Sequence, residues 1–191
     1  TKALDMKAYF KFDGNLNNSQ PSVITAKENG TVAYDENGYY NGAADLSNGY
    51  LSINNLKNLG TDSFTVSMWI KDLDALTNDP AIVSNKDWES GYNPGITIAT
   101  EGGKFRFNLG DGSKRSDTPY TSANGYTVGG DGGFVNLIAV VDRENAAASL
   151  YADFRLIATV RLDVGSLDSA PGTTLNIGQD GKGTGFKAKF K

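Results

Sequence analysis

The chain has 191 residues, a net charge of -4 and a pI of about 4.8, and it contains no cysteine and no histidine. The lack of these two residue types excludes disulfide bonds, thiol catalysis, histidine-containing catalytic triads and histidine-ligated zinc. The acidic balance argues against nucleic acid as a partner, and no apolar run is long enough for membrane insertion.

Glycine is frequent, with 23 residues, and short apolar segments alternate with turn-forming residues along the whole chain. This composition is typical of many short strands joined by tight turns. We find no long helical pattern, no repeat of fixed period and no linker, so we predict one domain over residues 1–191. The fold class that these strands favour is all-β, a two-sheet antiparallel β-sandwich.

The clearest strand of the N-terminal half covers residues 63–70. Apolar and polar side chains alternate there, which predicts a central strand with one buried face. Trp69 falls on the other face, where we favour packing over contact with a sugar. Weaker patterns predict strands at 8–12, 31–34, 43–46 and 50–53, the last two joined by a hairpin turn.

Residues 81–100 consist of a short apolar strand, a polar loop and a second strand rich in β-branched residues. Loops held by a rigid sheet commonly carry binding groups. Trp88 and Tyr92 in this loop are aromatic side chains of the kind on which sugars stack. Hydrogen bonds to a sugar are expected from Asn85, Asp87, Asn108, Asp111 and Arg115.

The predicted strands at 81–84, 96–100 and 104–109 are expected to be neighbours, which would gather these groups on one face. A structural interpretation stands beside this one. In that case Trp88 folds back onto the rim of the sandwich, and Arg115 forms a salt bridge with an aspartate of the loops, Asp87 or Asp111.

The C-terminal half continues the β pattern. Residues 118–133 are polar and predict a long loop with little regular structure. The lysines of the final predicted strand are of the kind that protect a sheet edge from further pairing. The predicted strands of this half are 134–141, 148–152, 156–160, 174–177 and 186–190.

Four segments carry a resemblance to a known family. They are YFKFDGNLNN at 9–18, FTVSMWI at 64–70, IVSNKDW at 82–88 followed by NPG at 93–95, and ASLYAD at 148–153 together with LNIGQDG at 175–181. In this order and spacing they resemble the laminin-G-like and pentraxin-like branch of the concanavalin A-like lectin/glucanase superfamily. The resemblance spans nearly the whole chain and implies a jelly roll.

The chain departs from that family pattern at two places. Relatives commonly open the strand at 134–141 with a Trp-His pair, where Phe134 and Asn136 stand here. Relatives also close with a further strand beyond a point such as Phe190, so we expect the last strand to lie outside this chain. Because Thr1 is not a native start, we expect a piece of a longer secreted or cell-surface protein.

The resemblance also implies calcium as a cofactor. In pentraxin-like relatives the ion is held by a loop like 85–93 and by the loop after a strand like 175–177. This assigns Asn93 and Asp180 as ligands, with Asp87 as a second carboxylate, and such oxygen donors are what calcium prefers. The alternative is that both aspartates cap turns through backbone N–H groups.

Catalysis is not expected of this chain. A glucanase of this fold needs two glutamates on one strand, with carboxylates about 5 Å apart, and no two of the five glutamates are so spaced on a strand. We therefore predict a non-catalytic, lectin-like module that binds a glycan or polysaccharide with calcium, beside other domains of its parent protein. The rival is a structural or protein-interaction module with no glycan ligand.

Overall fold

The computed structural model describes residues 5–71, 73, 74, 78–122 and 133–191. In this part of the chain regular structure is entirely β, and no helix is present that would be long and apolar enough to span a membrane. The strands are β1 (Thr25–Asp35), β2 (Ala43–Asn54), β3 (Phe64–Ile70), β4 (Ala81–Ser84), β5 (Gly95–Glu101), β6 (Lys104–Gly110), β7 (Arg115–Asp117), β8 (Thr121–Ser122), β9 (Val135–Asp142), β10 (Ala147–Ala152), β11 (Arg155–Arg161) and β12 (Leu175–Ile177).

The strands form two antiparallel sheets. The large sheet has the order β1-β2-β12-β4-β5-β6-β7, with β8 also paired to β6. The small sheet has the order β11-β10-β9-β3, so strands from both ends of the chain contribute to each sheet. The predicted all-β, two-sheet jelly-roll sandwich is confirmed, because sheets with these crossovers are the architecture that the alternating segments predicted.

The core lies between the inner faces of the two sheets. Phe105, Phe107 and Leu109 of β6 are fully buried on one side, and Leu137 and Val141 of β9 are buried on the other. These residues alternate with side chains on the outer faces, as a half-buried strand requires. Each large apolar side chain buried in this way contributes about 1.5–3 kcal/mol to folding.

The predicted hairpin at residues 43–53 is wrong, because both halves belong to the single strand β2, which pairs with β1. The glycine in the supposed turn serves a close approach of two backbones instead. Gly49 lies opposite Gly30, and a Cβ on Gly49 would lie 2.6 Å from the carbonyl oxygen of Thr31. The pairing shifts register beside this point, as at a β-bulge, where glycine is also favoured.

The C-terminal residues 186–191 do not form the predicted edge strand. Ala188 and Phe190 are buried, so the predicted alternation is confirmed, but the one β-bridge recorded for the segment is the isolated parallel bridge between Lys187 and Ala81. The segment follows no single strand, because Ala188 donates to Gly178 next to β12, while Lys191 exchanges two backbone hydrogen bonds with Lys71 next to β3. The backbone N–H of Leu46 donates to the carbonyl of Phe190 at 2.9 Å, which ties this segment to β2.

Two further predictions have different outcomes. The predicted strand at residues 8–12 is interrupted, because Phe12 has a left-handed backbone with φ of 59° and only Phe10 forms a bridge. The predicted long loop at 118–133 falls partly outside the described residues, and its residues Thr121 and Ser122 pair with β6 as β8. The predicted strands at 81–84, 104–109, 134–141, 148–152, 156–160 and 174–177 lie close to β4, β6, β9, β10, β11 and β12.

Aromatic rings gather on the outer face of the small sheet. Trp69 lies there, opposite the core-facing side of β3, and Tyr39 stacks on it with ring centroids 3.4 Å apart. Phe154 meets the edge of Trp69, and both Phe154 and Tyr40 are about 70% exposed. We call Tyr39, Tyr40, Trp69, Phe134 and Phe154 the outer aromatic cluster.

Candidate functional site

A row of polar side chains crosses the outer face of the large sheet. Hydrogen bonds join neighbours within the row: the Ser52 hydroxyl donates to Asn176 at 2.8 Å, and the hydroxyls of Ser84 and Thr97 lie 2.8 Å apart. No sequence signal reveals it, because each member is isolated in the chain and only strand register joins them. The row consists of Ser52, Asn176, Ser84, Thr97, Asn108 and Asp117.

The side chain of Lys86 covers one end of this polar row and is fully buried. Its Nζ donates to Oδ1 of Asn108 at 2.6 Å and to the carbonyl of Gly91 at 2.9 Å. It also lies 5.5 Å from the ring centroid of Trp88. Burial lowers the pKa of Lys86 to about 7, although the nearby Asp117 acts in the opposite direction. Lysine is so rarely buried that the sequence offered no reason to expect it here.

Asp117 at the end of the row organises two arginine–tyrosine pairs. One carboxylate oxygen lies 3.1 Å from Nε of Arg115, and the other lies 3.3 Å from a terminal nitrogen of Arg106. The Arg115 guanidinium lies 4.8 Å from the ring centroid of Tyr92, and that of Arg106 lies 5.2 Å from Tyr120. We call these five residues the tyrosine–arginine surface.

The tyrosine–arginine surface is both accessible and nearly balanced in charge. Tyr92 is 48% exposed, and the Tyr120 hydroxyl donates to the carboxylate of Asp79. Burial and the charge of Glu101 raise the pKa of Asp79, against the effect of Arg106. With carboxylates beside both guanidinium groups, the surface suits a neutral hydroxylated ligand better than an anion.

Two of the predicted sugar-contact residues, Tyr92 and Arg115, are brought together here. Asn108 lies beneath them but is fully buried, and its amide donates to the Gly91 carbonyl at 3.2 Å and to Asp117 at 2.6 Å. Asn108 therefore supports the surface from below and does not reach a ligand. The salt bridge expected between Arg115 and Asp87 or Asp111 is replaced by the bridge to Asp117.

The structure places Asn85 and Trp88 inside the loop framework, away from the surface that a sugar can reach. Asn85 is fully buried: its amide nitrogen donates to the carbonyl of Lys57 at 2.8 Å, and its oxygen accepts from the N–H of Ile96 at 2.6 Å. Trp88 is 6% exposed and its indole N–H donates to the carbonyl of Asp79 at 3.0 Å. For Trp88 the structural interpretation describes the arrangement correctly.

Asp111 fixes two loops and has no free carboxylate oxygen. Its Oδ1 accepts from the backbone of Ser113 at 2.8 Å and of Lys114 at 2.7 Å, and its Oδ2 accepts from the N–H of Gly165 at 2.8 Å. Partial burial raises the pKa of Asp111, but these hydrogen bonds outweigh it and hold the pKa well below its usual value. The position is thus explained by loop geometry without a sugar.

Replacing Asp111 by alanine should lower the free energy of unfolding by about 1–3 kcal/mol, because the Gly165 and Lys114 N–H groups lose their acceptor. Urea unfolding at pH 7 measures this loss. Asp163→Ala is the matched control, since Asp163 pairs with the side chain of Lys114 but is 69% exposed. We expect that variant to stay within about 0.5 kcal/mol of the parent; equal losses would contradict the loop-fixing role.

The three residues that the resemblance assigns to calcium are neighbours. The Asn93 amide donates to the backbone carbonyl of Asp87 at 2.9 Å, and the charge of Asp87 is one cause that raises the pKa of Asp180. Burial is the larger cause, because Asp180 is fully buried. The residue types are therefore those expected of a calcium site. Whether an ion fits depends on whether their oxygens are free to bind it.

The carboxylate oxygens of the two aspartates already have partners in the protein. Asp87 accepts from the N–H of Glu89 at 3.1 Å and pairs with Nζ of Lys182 at 3.1 Å. Asp180 accepts from the N–H groups of Thr184 at 3.1 Å and Lys182 at 3.4 Å. Over the described ranges, no three acidic, histidine or cysteine side chains are grouped as a metal site would require. In this arrangement the residues do not fit a calcium ion.

Several solved structures have a fold similar to that of this chain. Domain 4 of AbnA, a GH43 extracellular arabinanase from Geobacillus stearothermophilus solved with arabinotriose, has 16% identity and a TM-score of 0.66, with 97% of this chain and 88% of that chain covered. The binding domain of botulinum neurotoxin serotype C1 has 14% identity and a TM-score of 0.65, with 96% and 42% covered. The binding domain of Paraclostridial Mosquitocidal Protein 1 has 17% identity and a TM-score of 0.64, with 86% and 40% covered.

This chain thus spans about two fifths of the toxin binding domains but most of the arabinanase domain. Identities at this level establish a shared fold and nothing more. Comparison with curated protein sequences gives no match. A family model described as the concanavalin A-like lectin/glucanases superfamily matches residues 45–191, which is most of the chain. The chain therefore belongs to the concanavalin A-like lectin/glucanases superfamily.

Proposed function

We propose that the chain is a non-catalytic module that binds a neutral glycan on the tyrosine–arginine surface. The observation that carries the proposal is the exposed ring of Tyr92, held 4.8 Å from the Arg115 guanidinium, which is itself fixed by Asp117. A ring held in this way offers a rigid apolar face beside polar donors, and such a face suits the C–H edge of a sugar.

The mechanism is stacking on Tyr92 with hydrogen bonds from the terminal guanidinium nitrogens of Arg115 and Arg106. We expect a single site of this kind to bind weakly. Attachment to a larger protein that is held at the same polysaccharide would raise the effective concentration of the site. The arabinotriose bound to the arabinanase domain supports this class of ligand, and its extracellular parent supports a secreted or cell-surface location for this chain. In this mechanism the sugar contacts protein side chains alone, and no calcium ion takes part in binding.

We expect Tyr92→Ala to weaken binding of the best neutral oligosaccharide about tenfold, because the variant loses the stacking ring; a nucleobase stacked on one aromatic ring gains about 1–3 kcal/mol, and we expect a sugar to gain an amount at the lower end of this range. A panel of arabinan oligosaccharides and other neutral glycans, titrated by calorimetry, identifies the ligand and measures the loss. The matched control is Tyr9→Ala. Tyr9 is 43% exposed, and Nζ of Lys11 lies 5.9 Å from the centroid of its ring. Tyr9 is not one of the residues of the tyrosine–arginine surface and lies in the N-terminal segment before β1.

The control should bind as the parent chain does. If the Tyr92 variant and the parent bind with equal affinity, the tyrosine–arginine surface is not the glycan-binding site. The same panel tests the non-catalytic part of the proposal: prolonged incubation should release no new reducing ends. Release of reducing ends in proportion to protein concentration would instead establish a hydrolase.

A second candidate function is protein interaction, and the outer aromatic cluster is the observation that favours it. Tyr, Trp and Phe are enriched at the centres of protein interfaces, and exposed apolar patches on a folded domain commonly mark contact sites. The rings of this cluster pack against one another at the outer face of the small sheet, whereas β6 and β7 belong to the large sheet. A glycan panel with no ligand at all would favour this function.

A further inference from the structure

Lys182 is the positive charge in the loop where the family resemblance implies a calcium ion. Its Nζ lies 3.1 Å from the Asp87 carboxylate, and the lysine side chain is about half exposed, at 51%. The carboxylates of Glu89 and Asp180 add further negative charge around this ammonium group. The ammonium group is thus ion-paired with one carboxylate and lies near two further negative charges.

The two loops that carry these groups pack with their backbones in contact. The N–H of Gly181 donates to the carbonyl of Lys86 at 2.8 Å. A Cβ on Gly181 would lie 2.5 Å from the carbonyl carbon of Asn85 and the nitrogen of Lys86, so no larger residue fits. This close approach brings the negative charges of Asp87 and Asp180 near each other, and the repulsion between them is lowered by a cation placed beside them.

We propose that Lys182 is a built-in counterion that takes the place of calcium in this domain. The ammonium neutralises the carboxylates of the 85–93 loop and of the loop after β12, so that these loops are ordered by the chain alone. A divalent ion would have to displace Lys182 from Asp87, and the existing ion pair between them would be lost. The inference concerns loop order and does not depend on the proposed glycan ligand, although the ordered loop carries Tyr92.

The test compares thermal unfolding of the full chain in excess chelator and in millimolar calcium, at low ionic strength where ion pairs are least screened. We expect the parent chain to melt at the same temperature in both. Lys182→Met should melt about 2–4 °C lower than the parent, a shift that a domain of this size shows for a modest loss of stability. Lys114→Met is the matched control, because Lys114 pairs with the exposed Asp163 at 3.2 Å.

The control variant should melt within about 1 °C of the parent, since exposed ion pairs contribute little. A rise in the melting temperature of the parent on adding calcium would overturn the proposal, because only an ion bound to the folded state stabilises it. Equal melting of the Lys182 and Lys114 variants would also overturn it. The parent comparison stands even where Lys182→Met fails to fold, and loss of glycan binding has no bearing on either result.

Discussion

Replacing Trp88 by alanine is expected to destabilise the domain by about 3–5 kcal/mol, the usual cost of removing a large buried aromatic side chain. Trp88 is 6% exposed, and its indole N–H donates to the Asp79 carbonyl at 3.0 Å. The variant leaves a cavity beneath the 85–93 loop and an unpaired carbonyl at its edge. Urea unfolding followed by tyrosine fluorescence or circular dichroism measures the loss.

The chain offers a matched control, because its only other tryptophan, Trp69, lies on the partly exposed outer face of the small sheet. We expect Trp69→Ala to cost less than Trp88→Ala, and Trp88→Phe to recover most of the packing while losing the indole hydrogen bond. The folded fraction of Trp88→Phe should keep its glycan affinity. A stable Trp88→Ala variant that has lost glycan binding would show instead that this ring is a stacking platform.

Much of the fold could be predicted from alternation alone. Strand β3 and strand β6 each place apolar side chains at every second position, and these positions are the ones that face the core. The error in β2 has a physical cause: Asn48-Gly49 is a strong local turn signal, and tertiary pairing with Gly30 of β1 overrides it. Local sequence does not show which backbone will lie across from a glycine.

The candidate site was harder to predict, because it depends on which residues pair across neighbouring strands and on whether a loop side chain points inward or outward. Tyr92 and Arg115 could be named because aromatic and cationic residues in loops commonly bind ligands. Arg106 and Tyr120 were not found, because their relation to Asp117 depends on the pairing of β6 with β7 and on the loop after it. Trp88 shows that residue type alone does not predict exposure, since an aromatic residue in a polar loop can point inward as readily as outward.

Lys86 has a consequence for the dependence of stability on pH. Its pKa falls from 10.5 to about 7 on folding because the ammonium is buried, whereas the unfolded chain keeps the ordinary value. Between these two pH values the unfolded chain holds more protons at this site than the folded chain. Stability therefore rises with pH above about 7, by at most about 1.4 kcal/mol per pH unit. Below about pH 6 both states are protonated and this contribution to the slope vanishes.

The neutral amine suits its surroundings better than the ammonium does. It keeps two N–H donors for its two acceptors, Oδ1 of Asn108 at 2.6 Å and the Gly91 carbonyl at 2.9 Å. Of the charged groups that act on Lys86, Asp117 favours the ammonium and Arg115 opposes it. Raising the pH thus removes the cost of burying a charge while the hydrogen bonds remain.

Lys86→Met should abolish this part of the pH dependence. The variant buries a side chain of similar length without a charge, but it leaves the acceptors on Asn108 and Gly91 unpaired, at about 1–3 kcal/mol for each buried group. The stability of the parent minus that of the variant should therefore begin to rise between about pH 6 and pH 7 and rise steadily from there to about pH 9.5. Lys187, whose pKa is lowered to about 8 by burial, is present in both proteins and cancels in the difference. A difference that does not change between pH 6 and pH 9.5, measured by urea unfolding, would mean that Lys86 keeps its ordinary pKa and that its ammonium reaches solvent in the folded protein.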